Sequence, residues 1–218
     1  MEGLNSTVNT SSILLSQLDS LVKELKKDLS DERSSSLLDD IIQLTENLSA
    51  VEMGNDKDAE LTSRIRASGI ALWNRAVSLK TQDSTNAQLV ARMRHVACNL
   101  TFTASREEES KAVIKKKLAM AMKTGRAWLD VHNPTMADSA LELAEECLEK
   151  LEKEIPSSSD QSTTKQDTST EDQRNSFRVK CFRAEAALAL SDEEKAWIYF
   201  QKAKERLHQL PQEVAIST

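Results

Sequence analysis

An all-α chain of stacked helical hairpins is the fold this sequence predicts, and three observations carry the expectation. Glycine and proline are scarce, 4 and 3 among 218 residues, which leaves little for tight turns or strand ends. Aromatic residues make up 4% of the chain, low for a sheet protein. Apolar residues recur at helical spacing in eight segments, each pair of segments joined by a short polar turn.

The segments are expected in pairs. The first pair spans about 10–29 and 33–53, divided by "LSDERS". The second spans about 57–80, with Leu61, Ile65, Leu72, Ala76 and Leu79 near one face, and about 85–104, entered through "DSTN". The third pair is a helix at about 107–131 and another running to about 154, with Asn133 as cap and Pro134 at the first helical position between them. Proline suits that place, because its missing donor would be unpaired anyway. The fourth pair covers about 173–190 and 192–210, divided by Ser191-Asp192-Glu193-Glu194, which has capping-box spacing. Between the third and fourth pairs, 156–176 is small, polar and charged throughout and reads as a disordered insertion. The expected organisation is an N-terminal capping hairpin over 1–56, repeats over 57–210, and a linker or tail over 211–218.

Two of the pairs share a repeat register. With Gly125 at position eight of a ~34-residue tetratricopeptide repeat, Trp128 falls at eleven, Ala137 at twenty, Leu141 at twenty-four and Ala144 at twenty-seven. With Ala184 at position eight, Ala187, Ala196, Phe200 and Ala203 follow at the same positions. Positions four, seven and thirty-two fit in neither, and the first two pairs show no such register. Gly125 and Ala184 lie 59 residues apart, one period plus roughly the length of the polar insertion. The physical expectation is that Gly125 and Ala184 allow two helix axes to cross closely, met by Ala137 and Ala196. Leu141 and Phe200 then fill the space between hairpins. A tetratricopeptide-like solenoid of about eight helices follows, because one hairpin cannot cover its own apolar face.

The function classes narrow by elimination. The formal net charge is −6, so the overall balance recruits neither nucleic acid nor an anionic membrane. Lys111, Lys115, Lys116, Lys117 and Lys123 share one helix, with Arg92, Arg94 and Arg106 nearby in sequence. Three adjacent lysines cannot all face one phosphate track, and Glu107, Glu108 and Glu109 offset them. No run approaches the ~18 apolar residues of a membrane helix, and the N-terminus is not that of a secreted protein. Cys98, Cys147 and Cys181, odd in number and set among apolar residues, read as reduced intracellular thiols.

Catalysis finds little support. His95 and Cys98 could supply half a metal site, with no second pair at ligand spacing. His132 beside the Asn-Pro turn has no nucleophile placed with it, and Glu145-Glu146 reads as a solvated helix face. No catalytic residue, cofactor or metal is expected. Trp73 and Trp128 are expected in the core, while Trp197, next to Ala196, is free to meet a neighbouring helix or a partner. The first helices of the repeats would line a partner groove with Met122, Arg126, Leu129 and Asp130, then Arg178, Cys181, Glu185 and Leu188. That mixture of apolar and charged residues suits a bound peptide or helix.

The order of Leu72-Trp73-Asn74, Lys123-Thr124-Gly125, Ala137 to Leu148, and Phe182-Arg183-Ala184-Glu185 resembles a meiotic tetratricopeptide scaffold family. It is called Zip-four or sporulation-twenty-two in fungi and plants and testis-expressed eleven in mammals. The resemblance covers about residues 60–210. It implies a non-enzymatic scaffold on meiotic chromosomes in the nucleus, which helps crossover-promoting proteins and the synaptonemal complex assemble. Its implied partners are an XPF-like structural protein and chromosome-axis or synaptonemal components. Family members are much longer, so the chain is expected to be an N-terminal fragment whose "PQEVAIST" leads onward. The alternative from the residues alone is a general cytosolic helical-repeat adaptor.

Overall fold

The computed structural model describes residues 2–25, 27, 31–50, 59–79, 84–104, 109–153 and 163–209. Eight α-helices are present among them, and no strand. They are α1 (Glu2–Leu25), α2 (Asp31–Ala50), α3 (Ala59–Ser78), α4 (Ser84–Thr103), α5 (Lys111–Asp130), α6 (Pro134–Lys153), α7 (Thr163–Ala189) and α8 (Glu193–Gln209). Consecutive helices pack as hairpins, and the chain divides into two compact units, Met1–Glu109 and Ser110–Thr218. The polar insertion expected over 156–176 is in part helical, because α7 begins at Thr163 and already buries Ser176. Residues 156–162 and the tail 211–218 lie outside the described residues.

In the first unit, Leu15, Leu18, Val22 and Leu25 form the buried stripe of α1, at the three- and four-residue spacing of one helix face. Leu37, Leu38 and Ile41 of α2 and Ile65, Leu72 and Ala76 of α3 do the same. Helix α4 is buried on more sides, through Val90, Ala91, Met93, Val96, Ala97 and Leu100. Its hairpins meet first helix to first and second to second, α1 on α3 and α2 on α4. Charged contacts follow the same pairing: Arg64 of α3 reaches Asp19 of α1 at 2.6 Å, and Arg92 of α4 pairs with Asp39 of α2. Gly69 is where α3 crosses α4, since a Cβ there would lie 2.9 Å from Thr101 Oγ1 and 3.0 Å from the Ala97 carbonyl oxygen.

The second unit stacks its hairpins differently: α6 packs on α7, and α5 meets α7 along one edge. This second-to-first order is the stacking of a helical solenoid. Gly125 is required at the α5–α6 crossing, because an added Cβ would meet the Leu141 side chain at 2.6 Å. Trp128, Ala137, Leu141 and Ala144 are buried, as are Ala187, Ala196 and Ala203 in the second hairpin, while Ala184 is half-buried. Phe200 departs from the expectation. It is 53% exposed, whereas Leu141 at the same repeat position is 0% exposed.

The two hairpin turns repeat bond for bond. After α5, His132 takes a left-handed φ of 56°, and after α7, Ser191 takes φ 60°. In the first turn the Asn133 N–H donates to the Trp128 carbonyl at 2.9 Å and the His132 N–H to Leu129 at 3.0 Å. In the second, Asp192 donates to Ala187 at 2.9 Å and Ser191 to Leu188 at 3.0 Å. Both are Schellman closures of a helix C-terminus. Asn133 then caps α6 by accepting from the Met136 N–H at 3.2 Å, and Asp192 caps α8 by accepting from Lys195 at 3.0 Å. The cap of α8 is therefore Asp192 rather than Ser191, whose left-handed backbone closes the preceding helix.

Candidate functional site

The groove expected on the first helices is only partly open. Met122 and Leu129 of α5 are buried and belong to the core, a correction to their place in the groove. Arg126, Asp130, Arg178, Glu185 and Leu188 are exposed, and Cys181 is half-buried. Arg126 organises the surface, pairing with Asp130 at 2.8 Å one turn along α5 and with Glu185 of α7 at 3.1 Å. Its guanidinium also lies 5.7 Å from the Phe182 ring centre. Farther along the same edge, Lys115 of α5 pairs with Asp172 of α7 at 2.8 Å. The α5/α7 face is thus crossed by two ion-pair bridges, with Leu188 open at one end. Burial holds the Cys181 thiol above its ordinary pKa, which keeps it protonated near neutrality.

A second polar cluster lies between α6, α7 and α8. Arg183 is only 3% exposed; its two terminal nitrogens are hydrogen-bonded, and its Nε faces Glu145 at 3.5 Å without a hydrogen bond. It donates to the Asp138 carbonyl oxygen at 3.0 Å and to the Tyr199 hydroxyl at 2.7 Å, and its charge faces Asp138, Glu142 and Glu145 within 3.6 Å. The Tyr199 hydroxyl passes its own proton bond to Glu145 at 3.0 Å, Lys180 pairs with Glu145, and Lys195 pairs with Asp138 at 2.8 Å. Burial opposes the charge on Arg183, but the Tyr199 bond and the two carboxylates outweigh it and raise its pKa. The Lys195 bond to Asp138 likewise raises the lysine's pKa. Glu145 is therefore a half-buried partner, while Glu146 beside it is the solvated one.

Signals for this cluster were present in the sequence. Asp138, Glu142 and Glu145 are spaced four and three apart, one face of a helix. The residues that fail the repeat register at positions four and seven of the second hairpin are Lys180 and Arg183. In the first hairpin the misfit at seven is Thr124, buried and bonded back to the Met120 carbonyl at 2.9 Å. The two misfits at position seven, Thr124 and Arg183, are buried polar residues.

The remaining candidates disperse. Lys117 is 2% exposed and Lys115 is paired across helices, so the lysine run presents no continuous basic track. Arg92 is committed to Asp39, Arg94 lies over the Trp73 ring at 5.7 Å, and Arg106 is outside the described residues. His95 approaches the Asn99 amide at 3.1 Å, Cys98 is buried, and burial lowers the His95 pKa. His132 serves the turn. None of Cys98, Cys147 and Cys181 is in a disulfide. Trp128 is buried, Trp73 half-buried, and Trp197 is 61% exposed. Among the described residues no group of three or more metal-ligating side chains converges, and no helix is long and apolar enough to cross a membrane.

No known protein-family model matches the chain, and no solved structure matches it.

Proposed function

We propose that the chain is a non-enzymatic protein-interaction scaffold. The observation that carries this reading is the repeated hairpin of the second unit, with its two matching turns and caps 59 residues apart and its α6-on-α7 stacking. Such a stack offers a preorganised helical surface on which a partner's peptide or helix can lie at low ordering cost. The use of its polar residues supports the same reading. Arg183, Asp138, Glu145 and Tyr199 are hydrogen-bonded or ion-paired to one another, which commits them to holding α6, α7 and α8 together.

The finer proposal is a scaffold of meiotic recombination. Its support is the resemblance around Leu72-Trp73-Asn74, Lys123-Thr124-Gly125 and Phe182-Arg183-Ala184-Glu185. In this role it brings an XPF-like structural protein and chromosome-axis or synaptonemal components together on paired chromosomes in the nucleus. Crosslinking mass spectrometry on the protein from meiotic tissue tests both levels. Crosslinks from the α5/α7 face to crossover or synaptonemal proteins are expected. Recovery of cytosolic partners alone would replace the meiotic role with a general adaptor, and recovery of no partner would overturn the scaffold itself.

A further inference from the structure

The internal repeat identifies a face that is covered on one hairpin and open on the next. Helix α6 meets α7 with the stripe Asp138, Leu141, Glu142 and Glu145, as the ion pairs from Arg183 and Lys180 establish. The same register positions on α8 are Trp197, Phe200, Gln201 and Lys204. Trp197 and Phe200 are exposed and stack on each other, ring centres 5.7 Å apart and planes 24° from parallel. They form a flat apolar plate on the last helix among the described residues. Leu188 repeats the pattern, open where its equivalent Leu129 is buried.

From this geometry we infer that the Trp197–Phe200 face of α8 docks an amphipathic α-helix of a partner protein, stacked on α8 as α7 is stacked on α6. The inference rests on the scaffold reading and deepens it by naming the surface and the partner's chemistry. Continuity with the α6–α7 interface sets the mode. Charge sets the occupant: Glu145, which receives Lys180, is replaced by Lys204, so the partner carries an acidic residue where α7 carries Lys180. Asp138, which receives Arg183, is replaced by Trp197, so the partner carries an apolar residue there. A second copy of the chain does not fit this mode. The residues of α5 that correspond to Lys180 and Arg183 are Ala121 and Thr124, and both are already buried. Desolvated aromatic anchors of this kind dominate interface energies.

A lactam-bridged helical peptide with the sequence of residues 176–190, carrying K180E and R183L, serves as the probe. Its binding to the full chain is read by the blue shift and acrylamide shielding of Trp197, the most exposed of the three tryptophans. The expected result is saturable binding that weakens about tenfold or more with Phe200→Asp or with Lys204→Glu. The peptide with the native Lys180 and Arg183 should bind at least ~10-fold less tightly. Phe200 is exposed, so Phe200→Asp should keep the wild-type melting curve, and that curve is measured alongside. No saturation, or equal binding of the two peptides, would overturn the inference. A Trp197-dependent dimer in sedimentation would overturn it in favour of a second copy. If this inference alone fails, crosslinking from intact protein still recovers partners on the α5/α7 face; if the scaffold reading fails, it recovers none.

Discussion

Single residues carry the geometry of this protein where backbone passes close to side chain or bends left-handed. Gly125→Ala would place a methyl 2.6 Å from Leu141 at a crossing that is fully packed. The gain in helix propensity, up to ~1 kcal/mol, is smaller than the strain, so a net loss of about 1–2 kcal/mol is expected in urea unfolding. His132 and Ser191 sit at left-handed φ without being glycine. Replacing either with glycine removes the Cβ conflict and should raise stability by roughly 0.5–1 kcal/mol, measurable as a higher urea midpoint. His95 gives a pH dependence. Burial lowers its pKa in the folded state, so the unfolded chain binds the proton more readily. The associated stability is complete above the unfolded value of ~6.5 and is lost as pH falls below it. Denaturation curves at pH 7 and pH 5 should therefore differ more for the native chain than for His95→Gln.

At the scale of elements, the α6–α7–α8 cluster decides how two hairpins hold together. Arg183→Leu leaves the half-buried Asp138 and Glu145 with only Lys195 and Lys180 as cations and removes the Tyr199 bond, for an expected loss of about 2 kcal/mol. Tyr199→Phe removes one hydroxyl that both accepts from Arg183 and donates to Glu145, for a smaller loss of ~1–2 kcal/mol. A double-mutant cycle between Arg183 and Glu145 should show coupling of about 1 kcal/mol or more, and additive losses would count against a shared network. Much at this scale was legible in the sequence. Helix pairing followed from polar turns, and Asn133-Pro134 named its own cap. The cluster was missed because a charged residue at an inward register position reads as a misfit until its acids on the neighbouring helix are seen.

Across the molecule, the two units build the same element, the helical hairpin, into different stacks. Gly69 and Gly125 each mark a close crossing, one against α4 and the other against α6. Gly69→Ala and Gly125→Ala share no neighbours, so their losses in unfolding free energy should add within roughly 0.5 kcal/mol. A repeat register could be read only where hairpins stack second helix to first, as α6 does on α7. In the first unit α1 lies on α3 and α2 on α4, so the small residue Gly69 answers to a different partner spacing and no common pattern emerges. Helix content, hairpin order, the Asn133 cap and the register of the second unit follow from local periodicity and turn chemistry, which act within one or two turns of chain. Which register positions close and which stay open depends on long-range contact. Met122 and Leu129 were expected to face a groove and are instead buried; Phe200 was expected to fill the core and is open. A periodic pattern states that a residue faces a neighbour, and only the packed chain supplies that neighbour.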